Sequence, residues 1–177
     1  MSDLIKLPKS IIPSCDVSTL EKYDELIQHT CGIKGIGAYK LGFSLTLPYS
    51  LRTLTEVARR YTDLPLIYDH QKAGTDIPDT GEAFAKACRA GGVDAVIYFP
   101  LAGPETEKTW IKAARDAGLV VIIGGHMTHP AFLASEGGFI SDEAPKKIFE
   151  IAVQNEVTDF ILPGNKPDKI KEYREYI

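Results

Sequence analysis

Ala87-Cys88-Arg89-Ala90-Gly91-Gly92-Val93-Asp94-Ala95-Val96-Ile97 and Ala113-Ala114-Arg115-Asp116-Ala117-Gly118-Leu119-Val120-Val121-Ile122 read alike. Each is a helix end, a glycine stop and an apolar run, the signature of one βα unit passing to the next. Similar runs recur outward from this pair: Ile11–Cys15, Ile36–Leu41, Leu66–Tyr68, Ala95–Phe99, Val120–Ile123 and Phe160–Leu162. They are continuously apolar rather than alternating, as expected of parallel strands covered on both faces. Strand starts lie about 25–40 residues apart, room for one strand and one crossover helix. Six βα units are therefore expected, the last with a helix over Lys166–Tyr176. Ser18-Thr19-Leu20-Glu21 and Asp79-Thr80-Gly81-Glu82 have the form of capping boxes, and Gly32, Gly91 and Gly118 that of helix stops. Periodicity fits both an open doubly wound sheet and part of an eight-unit barrel.

The chain has 177 residues, enough for one domain with a sizeable core. Its 44% hydrophobic and 25% charged residues describe an ordinary globular protein. A net charge of -4 gives no general pull toward nucleic acid or anionic membrane, so any anion site must be local. The three cysteines, Cys15, Cys31 and Cys88, lack CxxC spacing and lie on or beside apolar segments, which argues against a disulfide framework. No apolar run approaches the ~20 residues of a membrane span, and Met-Ser-Asp-Leu-Ile-Lys lacks a signal peptide's apolar region, so a cytoplasmic protein is expected.

Both candidate architectures place ligands at the carboxyl ends of the strands. That face collects Asp16, Lys40, the segment Asp69–Asp76, Pro100, His126–His129 and Gly164-Asn165. Lys40 lies within an apolar strand, while Asp69, Lys72 and Asp76 surround the end of the next, so Lys40 and Asp69 should converge. Unpaired charges in such a cleft cost several kcal/mol each, whereas a close opposite pair returns about 4 kcal/mol at an effective dielectric near 20. An alternating array of this kind can repel a departing anion and attract a forming carbanion, and lysine can supply a proton. His126-Met127-Thr128-His129 admits two readings, a metal-ligating pair and polar residues of a substrate-facing loop. Gly35-Ile36-Gly37 and Gly124-Gly125 lack the surroundings of a dinucleotide or P-loop site. Trp110, after Thr106-Glu107-Lys108-Thr109, reads as helix-packing surface.

Five motifs in order along the chain resemble the orotidine 5′-monophosphate decarboxylase family, especially its short archaeal type. They are Ser14-Cys15-Asp16, Tyr39-Lys40-Leu41-Gly42, Asp76-Ile77-Pro78-Asp79-Thr80, Met127-Thr128-His129-Pro130 and Pro163-Gly164-Asn165-Lys166-Pro167. The resemblance implies a (β/α)8 TIM-barrel fold and conversion of orotidylate to uridylate, a carboxy-lyase reaction of pyrimidine biosynthesis needing neither metal nor organic cofactor. It would place Lys40 and Asp69 in a charge network and make Lys72 the donor of a proton to the pyrimidine C6 carbanion. Asp76, Ile77 and Thr80 would reach into the partner's site of a homodimer, Asp16 would bind ribose hydroxyls, and Thr128 would bond the pyrimidine ring.

The strand-end motif here reads Asp69-x-x-Lys72-x-x-x-Asp76, one residue longer in each gap than the family's Asp-x-Lys-x-x-Asp. Side chains alternate along a strand, so a turn must re-aim one of these groups, and Gly74 can supply it. About six units in one domain over 1–177 leave the last two units, which carry the family's phosphate grip, outside the expected elements. Two other readings remain open: a sugar-phosphate lyase of the same suprafamily, like 3-keto-gulonate-phosphate decarboxylase or the metal-using hexulose-phosphate synthase, and a non-catalytic nucleotide-phosphate-binding homologue.

Overall fold

Every apolar run but the first becomes a strand in the computed structural model, which describes residues 4–70 and 73–177. The strands are β1 (Tyr39–Gly42), β2 (Leu66–Asp69), β3 (Ala95–Tyr98), β4 (Val120–Gly124) and β5 (Asp159–Ile161). All neighbours are parallel and the order is β1-β2-β3-β4-β5. Of six expected strands, Ile11–Cys15 is the exception. It runs parallel to β1 but makes only two isolated bridges, Ile11 to Ile36 and Ser14 to Lys40. Ile11 N–H and Cys15 N–H donate to Gly35 and Lys40 carbonyls at 2.8 Å each, but Pro13 between them has no N–H to give. The ladder is interrupted where the proline stands.

The helices are α1 (Leu20–Thr30), α2 (Phe43–Thr46), α3 (Leu51–Ala58), α4 (Gly81–Gly91), α5 (Pro104–Asp116), α6 (Ala144–Gln154) and α7 (Pro167–Tyr173). Their ends differ in detail from the sequence reading. Thr19 rather than Ser18 caps α1, its hydroxyl accepting from Lys22 N–H at 3.3 Å. The Asp79–Glu82 box does not form: a 3-10 turn over Pro78–Thr80 leads directly into α4, and Thr80 Oγ1 donates to the Ile77 carbonyl instead. The left-handed stop of α4 is Gly92, with φ +87°, not Gly91. Residues Thr106–Thr109 belong to α5, because Pro104 at its first position starts the helix earlier.

Strand order and helix placement decide between the two architectures. A doubly wound sheet reverses direction at a switch point and carries helices on both faces. Here each strand pairs with its chain predecessor, and α1, α3, α4, α5, α6 and α7 all contribute to a single large core on one face, through residues such as Tyr23, Leu54, Cys88, Trp110, Phe149 and Tyr173. The other face carries a smaller cluster of Leu4, Ala38, Ile67, Ala95, Ile97, Phe99 and Ile122, to which no helix contributes. One helical face and one inner face packed by strand side chains make this part of a β/α barrel.

Candidate active site at the strand carboxyl ends

Lys40 and Asp69 meet because of sheet register. Lys40 is the parallel partner of Ile67, so its side chain shares the inner face with Ala38 and Ile67, and Asp69 follows Ile67 on that face. Lys40 Nζ donates to Asp69 Oδ2 at 2.7 Å, with 21% and 6% of the two side chains exposed. The other carboxylate oxygen, Asp69 Oδ1, is buried and has no hydrogen-bond partner among the described residues. A carboxylate with one oxygen neutralised and one unfilled has room for a further donor.

Asp16 joins them at the same end. Its carboxylate lies against the α-carbon of Gly42, where a side chain would collide with it, and Gly42 is the register partner of Asp69. Beneath, burial first and the Asp16 carboxylate second push the Cys15 thiol up to about 12, so this cysteine is held as a neutral thiol. Asp16, Lys40 and Asp69 therefore form one charged lip above an apolar floor.

After β2 the chain turns back toward β3. Ala73 N–H donates to the His70 carbonyl at 2.6 Å, Phe99 N–H donates to the Ala73 carbonyl at 2.9 Å, and Gly74 has φ +84°. A side chain at Gly74 would press on the Pro100 backbone at 3.1 Å as well as strain the left-handed turn. Gly74 thus makes a left-handed turn between Asp69 and Asp76. Lys72 itself lies outside the described residues.

Asp76, Ile77 and Thr80 make no hydrogen bond or ion pair with Lys40 or Asp69 among the described residues. Asp76 is exposed, forms no ion pair with a described residue, and accepts from Ile77 N–H at 2.7 Å. Ile77 is 59% exposed. What holds this segment is α5: Thr106 Oγ1 donates to the Asp76 carbonyl at 2.9 Å and Trp110 Nε1 to the Ile77 carbonyl at 3.1 Å. Trp110 is 3% exposed, packed edge-on to Tyr98 and against Phe84, with the Gly81 α-carbon on its indole. The expectation of a packing residue holds, but its N–H role was missed.

At the ends of β4 and β5, Thr128 is exposed, and its carbonyl accepts from Asn165 Nδ2 at 3.0 Å. His126 faces inward. Lys166 Nζ donates to His126 Nε2 at 2.8 Å, and Nδ1 meets the Tyr173 hydroxyl at 2.6 Å. Lys166 also donates to both Glu136 carboxylate oxygens, at 2.9 and 3.2 Å. Burial, reinforced by the Lys166 ammonium, holds the His126 imidazole below its ordinary pKa, so the ring is neutral with its proton on Nδ1. With its ring nitrogens engaged by Tyr173 and Lys166, His126 ties the end of β4 to α7 and to the segment before it. Glu136 and Tyr173 were not singled out from the sequence, and Lys166 was quoted only within its motif, because nothing in the chain order links them to His126.

No family model matches the chain. Among curated proteins it is similar to orotidine 5′-phosphate decarboxylase of Methanosarcina mazei, at 29% identity over 142 residues, covering 80% of this chain and 60% of that protein. The Pyrococcus abyssi enzyme of the same name is 28% identical over 140 residues, covering 79% and 61%, and that of Methanosphaera stadtmanae 23% over 177 residues, covering 98% and 76%. The chain thus spans about three fifths of the length of the first two. Among solved structures it resembles orotidine 5′-monophosphate decarboxylase of Methanocaldococcus jannaschii complexed with inhibitor BMP, with TM-score 0.78 and 22% identity over 95% of this chain and 73% of that one. The Pyrococcus horikoshii enzyme gives 0.76 and 23% over 94% and 74%. These likenesses agree with the barrel inferred from topology, and the curated relatives bear the names that the five motifs suggested.

Proposed function

We propose that the chain catalyses, or forms most of an enzyme that catalyses, decarboxylation of orotidine 5′-monophosphate to uridine 5′-monophosphate. The observation that carries this reading is the Lys40–Asp69 pair, set on the inner face at the carboxyl ends of adjacent strands, in a chain whose curated relatives carry that activity in their names. The Asp69 carboxylate would crowd the substrate carboxylate and weaken its hold in the ground state. The C6–carboxylate bond breaks, carbon dioxide leaves, and the electron pair stays on C6. Lys72 would give its proton to that carbon and regain one from solvent, which balances the reaction without a cofactor.

Asp16 is proposed to bind ribose hydroxyls from its place beside Gly42, and Thr128 to bond the pyrimidine edge. Asp76, Ile77 and Thr80 would serve a second protomer, a reading supported by the exposure of Ile77, of Phe43 in α2 and of Leu47 just after it. The enzyme is read as a cytoplasmic homodimer; no helix among the described residues is long and apolar enough to cross a membrane. The test is loss of orotidylate absorbance together with uridylate formation by the purified protein. Absence of both turnover and uridylate-analogue binding would sink the reading, and activity on a sugar phosphate that requires Mg²⁺ would move the chain to the metal-using branch of the suprafamily.

A further inference from the structure

Glu107 is a second buried carboxyl, and nothing in the site above uses it. It lies in the first turns of α5, is 1% exposed, and its Oε1 has no hydrogen-bond partner among the described residues. It lines a cleft of about 230 Å³ between α5 and α6 that shares no residue with the Lys40–Asp69 lip. The walls are apolar, formed by Leu101, Pro104, Ile140, Ile148 and Ile151, with Phe139 standing fully exposed at the mouth. Lys147 of α6 is the other charged residue lining the cleft, and Lys108 is the charge on α5 that acts on Glu107.

An unpaired carboxyl in such a place carries a desolvation cost that a hydrophobic residue of equal size would avoid. Burial pushes the Glu107 carboxyl up to about 8, against the opposing pull of Lys108, so at neutral pH it is a neutral acid with an O–H donor and a C=O acceptor in one plane. A primary amide or lactam edge presents the matching acceptor and donor. An ammonium ion would be opposed by Lys147 and Lys108, and an anion would meet the acceptor face of the acid. The small volume and the apolar walls favour a short hydrocarbon body behind that edge.

We propose that the α5–α6 cleft is a binding site for a small neutral molecule that joins an apolar body to an amide or lactam edge, held by the Glu107 carboxyl. The site stands independently of the proposed decarboxylation.

The experiment is titration of the whole chain with hexanamide and, separately, hexylamine, following the methyl resonances of Leu101, Ile148 and Ile151. Hexanamide is expected to shift all three and to bind more weakly as pH rises through about 8, where Glu107 loses its proton. Glu107→Gln keeps a donor and an acceptor, so it should retain binding and lose that pH dependence. Glu107→Leu should weaken hexanamide by about tenfold or more, about 1.4 kcal/mol, without lowering the denaturation midpoint. Unchanged affinity in Glu107→Leu, tighter binding of hexylamine than of hexanamide, or no shift with hexanamide would each overturn the proposal.

Discussion

Lys40 is held by its partner as much as it holds it. Removing the ammonium leaves Asp69 94% buried with neither oxygen paired among the described residues, and breaking a buried pair typically costs about 3–5 kcal/mol. Lys40→Met is expected to fall at or below that range, because a fifth of the lysine reaches solvent. Adding Asp69→Asn should return part of the loss, and urea unfolding of the single and double variants measures both. If the pair is catalytic, orotidylate turnover should drop by about a hundredfold or more in each, with no such recovery in the double variant.

Two other residues set the pH limits of stability, with opposite signs. His126 has a folded pKa held below its ordinary 6.5, so the unfolded chain takes up a proton first as pH falls. Its contribution is intact above 6.5 and is lost as pH drops through the folded value. Glu107 has a folded value of about 8 against an ordinary 4.5. Its contribution is intact below 4.5 and declines as pH rises to about 8. His126→Gln should flatten the acid side of a stability-versus-pH curve, and Glu107→Gln the neutral-to-alkaline side, in thermal melts across that range.

At the scale of elements, α5 acts as a bracket. Its Thr106 and Trp110 donate to consecutive carbonyls of the loop that leads from β2 toward α4. Trp110→Phe removes one hydrogen bond and the buried pyrrole ring against Gly81, so a stability loss of about 1–3 kcal/mol is expected. If Asp76–Thr80 reaches a partner's substrate, the same variant should raise KM more than it lowers kcat. At the far end of α4, Gly92→Ala meets both a φ of +87° and Thr55 Oγ1 at 2.9 Å from the new carbon. It should destabilise by at least about 1 kcal/mol in chemical denaturation.

Why some elements could be read from the chain and others could not follows from the range of the forces involved. The strands after Ile36 were legible because burial on both faces writes a continuous apolar run. The run Ile11–Cys15 has the same composition, but Pro13 has no N–H to give and the register against the next strand slips by one residue between Ile11 and Ser14, so no continuous ladder forms. Likewise Lys40 and Asp69 were found because parallel neighbours place strand ends together. The His126–Lys166–Glu136 linkage joins residues whose closeness depends on how the β4 and β5 loops fold over each other. Helix caps fell one residue from their expected places because Thr19 and Ser18 both have a hydroxyl for the task, and backbone entry angle chooses between them.

At the scale of the whole molecule, sequence periodicity allowed two architectures, and one of the properties that separates them is that each strand hydrogen-bonds to the strand that precedes it in the chain. That same ladder order has a consequence for how the protein comes into being. A strand needs only the unit made just before it, so no segment must wait for a distant part of the chain to be synthesised. Loop closure between successive strands is short, which favours quick, stepwise pairing. As the polypeptide leaves the ribosome from its amino end, β1 and β2 can join while β4 is still being translated. Nascent chains arrested so that first Phe99 and then Gly125 has emerged from the ribosome should therefore show progressive protection of β1–β2 and then β3–β4 amides from hydrogen exchange. Protection appearing in one step only after Ile161 has emerged would mean that the barrel segment closes as a single unit.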